Sequence, residues 1–176
     1  TVFGNGPDRA EVVLAGEQPG NDEDLAGLPF VGPAGRMLDG ALAAAGIDRS
    51  RTWVTNVVKH FKWEARGKRR IHSKPNAAEV KACMPWLEAE IRLLQPRMVI
   101  CLGATSAQAL LGRTFRVTQS RGQVIPVPWA GAAMATWHPS AILRAPDPDA
   151  RQRGEAELVA DLRSAAEWLE NNQHAA

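Results

Sequence analysis

The sequence has few cysteines, no long apolar run and no strong excess of either charge. With two cysteines in 176 residues, Cys83 and Cys101, a disulfide scaffold is excluded and a reducing compartment is expected. No window is apolar over the length a bilayer requires, so no membrane association is expected. The opening Thr1-Val2-Phe3-Gly4 lacks the basic and apolar stretches of a signal peptide. It is also abrupt, and a preceding N-terminal segment is expected. The net charge of +2 excludes a uniformly basic coat. Cations nevertheless concentrate between Lys59 and Lys74, and such a local field matters more to an anionic partner than the total does. No internal repeat is present. A hydrophobic content of 45% at this length fits one domain over 1–176 with a buried core.

The pattern along the chain alternates strand and helix. A short apolar run over 11–15 reads as a buried strand and passes at once into Gly16-Glu17-Gln18-Pro19-Gly20. Residues 21–32 read as a loop. Met37, Leu38, Leu42 and Ala45 mark a helix face ending at Gly46. The β-branched run 52–58 predicts a second strand, and 59–76 a long basic loop of the functional kind. Val80, Met84, Leu87, Ile91 and Leu94 keep helical spacing, with a kink or restart expected at Pro85. A third strand over 97–102 is closed by Gly103, and a short helix over 104–111 follows. Residues 123–127 suggest an edge strand, since Pro126 and Pro128 argue against a central place. A fourth core strand over 132–137 delivers His138. Leu158, Val159, Leu162, Ala166 and Leu169 mark a closing helix. Alternation of this kind predicts a mostly parallel sheet covered on both faces.

Three stretches carry chemistry. The first is the glycine turn after the first strand, at the carboxyl edge where open α/β sheets bind ligands. The second is Gly67-Lys68-Arg69-Arg70-Ile71-His72-Ser73-Lys74, which alone would read as a solvated basic face. The third is His138-Pro139-Ser140 after the last strand. Together they suggest one active site.

In order along the chain, Gly-Glu-Gln-Pro-Gly, the Phe30 loop, Asn56 closing a strand and His-Pro-Ser resemble the uracil-DNA glycosylase superfamily. The order resembles the iron–sulfur family 4 branch, and Lys-Arg-Arg-Ile-His resembles the UdgX class, whose members become covalently attached to uracil-containing DNA. The resemblance covers essentially the whole chain. It implies a three-layer αβα sandwich around a four-stranded parallel sheet. It also implies a monomer in a bacterial cytoplasm whose partners are uracil and uracil-containing DNA, single strands preferred.

The same resemblance assigns roles. Glu17 acts near the sugar, Gly16 and Gly20 let the backbone approach the ligand, and the main chain of Glu17 and Gln18 bonds uracil. Phe30 stacks on the flipped base. Asn56 reads uracil, because an amide can accept from N3–H and donate to O4, whereas cytosine presents the opposite pattern. His138 donates to O2 as charge develops there. Ser140, Arg121, Lys68, Arg69 and Arg70 contact DNA phosphates, and Ile142 and Leu143 form an apolar wedge. His60 and Cys83 fall where the branch places two of its four 4Fe–4S ligands; the N-terminal cysteine pair is absent from this sequence. Cys101 reads as core. His72 is the expected nucleophile, attacking C1′ to leave a stable adduct. Three alternatives stand beside this. The chain could be a turnover family 4 glycosylase in which His72 merely lines the groove, a non-catalytic single-strand binding module, or a redox iron–sulfur protein in which Asn56 and His-Pro-Ser have no role.

Overall fold

The computed structural model describes residues 1–173, so the last three residues of the expected 1–176 domain lie outside it. Four strands form one parallel sheet: β1 (Val12–Gly16), β2 (Thr52–Asn56), β5 (Met98–Leu102) and β6 (Ala132–Thr136), in the order β2-β1-β5-β6. A second, two-stranded antiparallel unit, β3 (Trp63–Arg66) with β4 (Arg69–His72), stands apart from it. After β1 the chain moves outward to β2, then returns past β1 to lay down β5 and β6. The order therefore reverses between β1 and β5. In such sheets the crevice at the carboxyl ends of the two central strands takes the ligand.

Alternation within the strands builds the layers. Val12, Leu14, Met98, Ile100 and Met134 face one side, against Leu38 and Leu42 of α2 (Pro33–Ala45) and Leu158 and Leu162 of α7 (Pro148–Asn171). Val13, Ala15 and Val99 face the other side, against Cys83, Leu87 and Ile91 of α3 (Ala77–Leu94). Both faces of β1, β5 and β6 are buried, which is why these strands read as continuous apolar runs. Helix starts are chemically specified. Pro33 and Pro148 occupy first helical turns, and Asn76 with Glu79 forms a capping box for α3. Among the described residues no helix is long and apolar enough to cross a membrane.

Several local expectations are corrected. The loop expected over 21–32 begins with α1 (Asn21–Ala26). It lacks an apolar stripe because its inward residue, Glu23, works by hydrogen bonding, to the Gly20 and Gly32 amides at 3.1 and 2.9 Å. The loop expected over 59–76 contains the β3–β4 hairpin. Its strands are mostly exposed, so no buried face imposes an alternation to read. The hairpin turns at Gly67, whose φ of 59° favours glycine. α3 does not restart at Pro85: the helix runs through it, with Pro85 on the exposed side. The edge strand expected over 123–127 amounts to one bridge, Ile125 to Ala133. The second strand ends at Asn56 rather than at residue 58.

Candidate active site

A cleft of about 640 Å³ opens at the carboxyl edge of the sheet. It gathers Glu17 and Gln18 after β1, Asn56 at the end of β2, Phe30 before α2, His72 on β4, the N-terminus of α4 (Ala104–Leu111), and His138 after β6. The three stretches singled out in the sequence thus meet in one place.

Gly16 sits where three of these groups converge. A Cβ there would lie 2.5 Å from Asn56 Oδ1, 2.9 Å from Phe30 Cζ and 3.2 Å from His138 Nε2. Glycine is required because the side chains of three elements occupy its space. Asn56 is 2% exposed, and its Oδ1 has no hydrogen-bond partner among the described residues. Leaving a buried carbonyl oxygen unpaired costs about 1–3 kcal/mol, so this atom is in want of a donor. Phe30 holds a left-handed backbone, φ 55°, which is uncommon for a bulky residue and marks stored strain. Its ring lies 6.0 Å from that of His138 at 27°. Gly35 admits this conformation, since a Cβ there would fall 1.8 Å from the Phe30 carbonyl oxygen.

The tautomer of His138 follows from its neighbours. The Ser140 amide donates to Nδ1 at 3.1 Å, and the Ser140 hydroxyl lies 2.7 Å from the same atom. Nδ1 is therefore the unprotonated nitrogen, and Nε2 carries a hydrogen on the side facing Gly16 and Asn56. Burial pushes the imidazole pKa down to about 4; Glu17 opposes the shift, while Arg144 and His72 add to it. The ring is neutral at pH 7.

Glu17 is held at both oxygens. Oε1 lies 3.0 Å from His72 Nε2, and Oε2 accepts the Thr105 hydroxyl. The next residue, Gln18, commits its side chain to the ends of the hairpin. Its amide donates to the Lys62 and Ser73 carbonyls and accepts from the Lys62 amide, each at 3.2 Å. Only the main chain of Gln18 is left to face the cleft. The bracket ties the two ends of the hairpin to the β1 turn and brings His72, half of whose side chain is exposed, against Glu17.

Three of the residues expected at DNA already have partners within the protein. Arg121 pairs with Asp161 at 2.8 Å and Glu157 at 3.3 Å and lies over Trp137, so its charge is spent inside the protein. Arg70 pairs with Asp24 at 2.7 Å, bonds Asn21 at 2.8 Å and stacks on Phe61 and Trp63; it pins the hairpin to α1. Ser140 lines the cleft but serves His138. Lys68 and Arg69 remain exposed at the hairpin turn. Of the expected wedge, Ile142 is buried in the core beside Gly154, and Leu143 is partly exposed.

The cluster expectation also meets a mismatch. The Cys83 thiol is buried and takes the Lys59 amide at 3.5 Å, with exposed His60 next in the chain. Among the described residues no three His, Cys, Asp or Glu side chains group as a metal site. His60 and Cys83 by themselves do not fit a four-ligand cluster. Cys101 is fully buried, and desolvation raises its thiol pKa to about 12, as expected of a core residue.

The sequence reading missed Thr105, Arg116 and Arg144, which line the cleft. A signal existed for the first. Gly103-Ala104-Thr105 follows a strand through a glycine of φ 87°, the same strand-to-glycine grammar as the Gly16 turn.

The sequence model described as the Uracil DNA glycosylase superfamily matches residues 3–163. A Type-4 uracil-DNA glycosylase of Pyrobaculum aerophilum is 39% identical over 152 residues, covering 82% of this chain and 74% of that protein. One from Archaeoglobus fulgidus is 34% identical over 152 residues, covering 82% and 73%. One from Thermotoga maritima is 36% identical over 146 residues, covering 81% and 71%.

Proposed function

Because the chain belongs to the uracil-DNA glycosylase superfamily, we propose that it hydrolyses the N-glycosidic bond of deoxyuridine in DNA, as the Type-4 enzymes it is similar to are named for doing. The observation that carries this is the buried, unpaired Oδ1 of Asn56. Uracil N3–H supplies the missing donor, and the amide nitrogen then donates to O4. Cytosine offers a lone pair at N3 and a donor at C4, leaving both groups mismatched. Phe30 stacks on the base after it is flipped out of the strand.

Bond breaking follows from the same geometry. The C1′–N1 pair leaves with uracil, and the negative charge spreads to O2, where the Nε2–H of His138 donates. A fixed donor at the site of developing charge lowers the barrier. The Glu17 carboxylate faces the oxocarbenium-like sugar. Water then adds to C1′ and gives its proton to Glu17. Lys68 and Arg69 supply phosphate contacts to the strand. An iron–sulfur cluster at His60 and Cys83 would take two further donors, and none of these steps uses it.

A second reading is favoured by the 3.0 Å approach of His72 to Glu17 inside the cleft. Here the unprotonated ring nitrogen attacks C1′ in place of water. Glu17 takes the proton from the other nitrogen, and a neutral alkylated imidazole remains. That group leaves poorly, so the adduct persists. One experiment tests both readings: the protein is mixed with a uracil-containing oligonucleotide, released uracil is counted per protein, and intact mass is recorded. Many uracils per protein without added mass support turnover; one uracil with a stable adduct mapped to His72 supports capture. No uracil release, with equal binding of uracil-free strands, would leave a binding module. For the capture reading, His72→Ala is expected to abolish the adduct while uracil release continues, since Glu17, Asn56, Phe30 and His138 are untouched.

A further inference from the structure

Lys59 is a long cation with only 1% of its side chain exposed. Removing an ammonium from water costs several kcal/mol unless its hydrogens are satisfied. Lys59 meets that condition. Its Nζ lies 2.7 Å from Thr55 Oγ1, 2.7 Å from the main-chain oxygen of Asn56 and 2.8 Å from Glu90 Oε2. The ammonium has three hydrogens and finds three acceptors. Glu90 is equally occupied: Oε2 also accepts the Thr55 hydroxyl at 2.7 Å, and Oε1 accepts the Gly4 amide at 2.9 Å. The network joins α3, the end of β2 and the segment at residues 2–5, whose Val2 amide donates to the Lys59 carbonyl at 2.8 Å.

The place of this network matters because of Asn56. It is the last residue of β2, an edge strand of the sheet. Its side-chain oxygen has no partner of its own. An amide that makes no contact through that oxygen takes its aim from the main chain that carries it. The peptide after Asn56 is held at its amide, where Val57 donates to the Gly16 carbonyl at 2.9 Å, and at its carbonyl by Lys59. We infer that Lys59, braced by Glu90 and Thr55, is a positioning residue for base recognition: it fixes the peptide after Asn56 so that the unpaired amide faces the flipped base. The inference rests on the proposed glycosylase reading.

The test replaces both charges at once, because Lys59→Met alone would strand the Glu90 carboxylate. Lys59→Met/Glu90→Gln is compared with the parent in three measurements: single-turnover uracil release, inhibition of that release by free uracil, and binding of a uracil-free single strand. All are scaled to the fraction folded by circular dichroism. Displacing a reading group by a fraction of an ångström to an ångström costs on the order of tenfold or more. Release should therefore slow and free-uracil inhibition weaken by about tenfold each, with uracil-free binding unmoved. A purely structural role predicts a lower melting temperature with the two uracil readouts unchanged per folded molecule, and that result would overturn the inference. If the double variant does not fold, Thr55→Val removes one arm of the brace and leaves the charge pair. It is then expected to weaken both uracil readouts by about threefold, and unchanged values overturn the inference. A parent that releases no uracil overturns the glycosylase reading and this inference together. An active parent with unmoved variants overturns this inference alone.

Discussion

The polar groups that converge in the cleft can be tested one at a time. Asn56 is the clearest: it is buried, unpaired and aimed at the space in which Phe30 and His138 also converge. Asn56→Asp keeps an acceptor for N3–H and loses the donor to O4. One unpaired buried group is worth about 1–3 kcal/mol, so single-turnover excision of uracil should slow by roughly five- to 150-fold. An unchanged rate would show that Asn56 does not read the base. His138 offers an independent check through pH. Its folded pKa of about 4 lies below the ordinary 6.5, so the unfolded chain takes up its proton first on acidification. This group's full stabilising contribution is present above pH 6.5 and is lost as pH falls through 4. Between pH 7 and pH 5 the loss should be about 2 kcal/mol. Urea unfolding at the two pH values should show that loss in the parent and a flatter dependence in His138→Asn. Equal slopes in the two proteins would mean that His138 is not buried as a neutral ring.

The elements of the sheet were legible in the sequence, and the hairpin was not. Core strands buried on both faces announce themselves as apolar runs, and glycine turns after them announce the sheet edge. The β3–β4 hairpin has no buried face to impose alternation, so only its charge could be read. Charge alone did not say where each cation goes. Arg121 and Arg70 find Asp161 and Asp24 at separations of 40 and 46 residues, and no local pattern reveals a partner that distant. Glu17, Asn56 and His138 were legible because they stand at strand ends, Glu17 directly after β1, Asn56 closing β2 and His138 two residues after β6; Lys59 was hidden inside a run that looked uniformly solvent-facing. The surviving phosphate candidates at the hairpin turn are Lys68 and Arg69. Replacing both by alanine should lower the log–log salt slope for single-strand binding by about 0.7 per lost contact. Filter binding at several salt concentrations measures it, and an unmoved slope would return the turn to plain solvent exposure.

At the scale of the whole molecule, the two proposed readings draw on parts of unequal rigidity, bond breaking on the sheet edge and capture on the hairpin. Glu17, Asn56 and His138 stand at the ends of strands packed against α2 and α7 on one side and, on the other, against α3 and the cluster around Ala107 and Val117. His72 rides on a hairpin held to that body by polar contacts: the Gln18 bracket, the Arg70–Asp24 pair and the Glu17–His72 contact. Hydrogen bonds of this kind contribute about 1 kcal/mol each, whereas global stability of a domain is about 5–15 kcal/mol. The hairpin should therefore open without unfolding the sandwich. Hydrogen exchange is expected to be slowest in β1, β5 and β6 and faster in β3 and β4. Gln18→Ala removes the bracket at both ends of the hairpin, worth about 1–2 kcal/mol, and should speed exchange there by roughly five- to thirtyfold while the sheet is unchanged. A loosened hairpin presents His72 to C1′ less often, so in the capture reading the same variant should release uracil with less adduct per turnover. Hairpin amides that exchange as slowly as β5, in parent and variant alike, would mean that the two parts open as one.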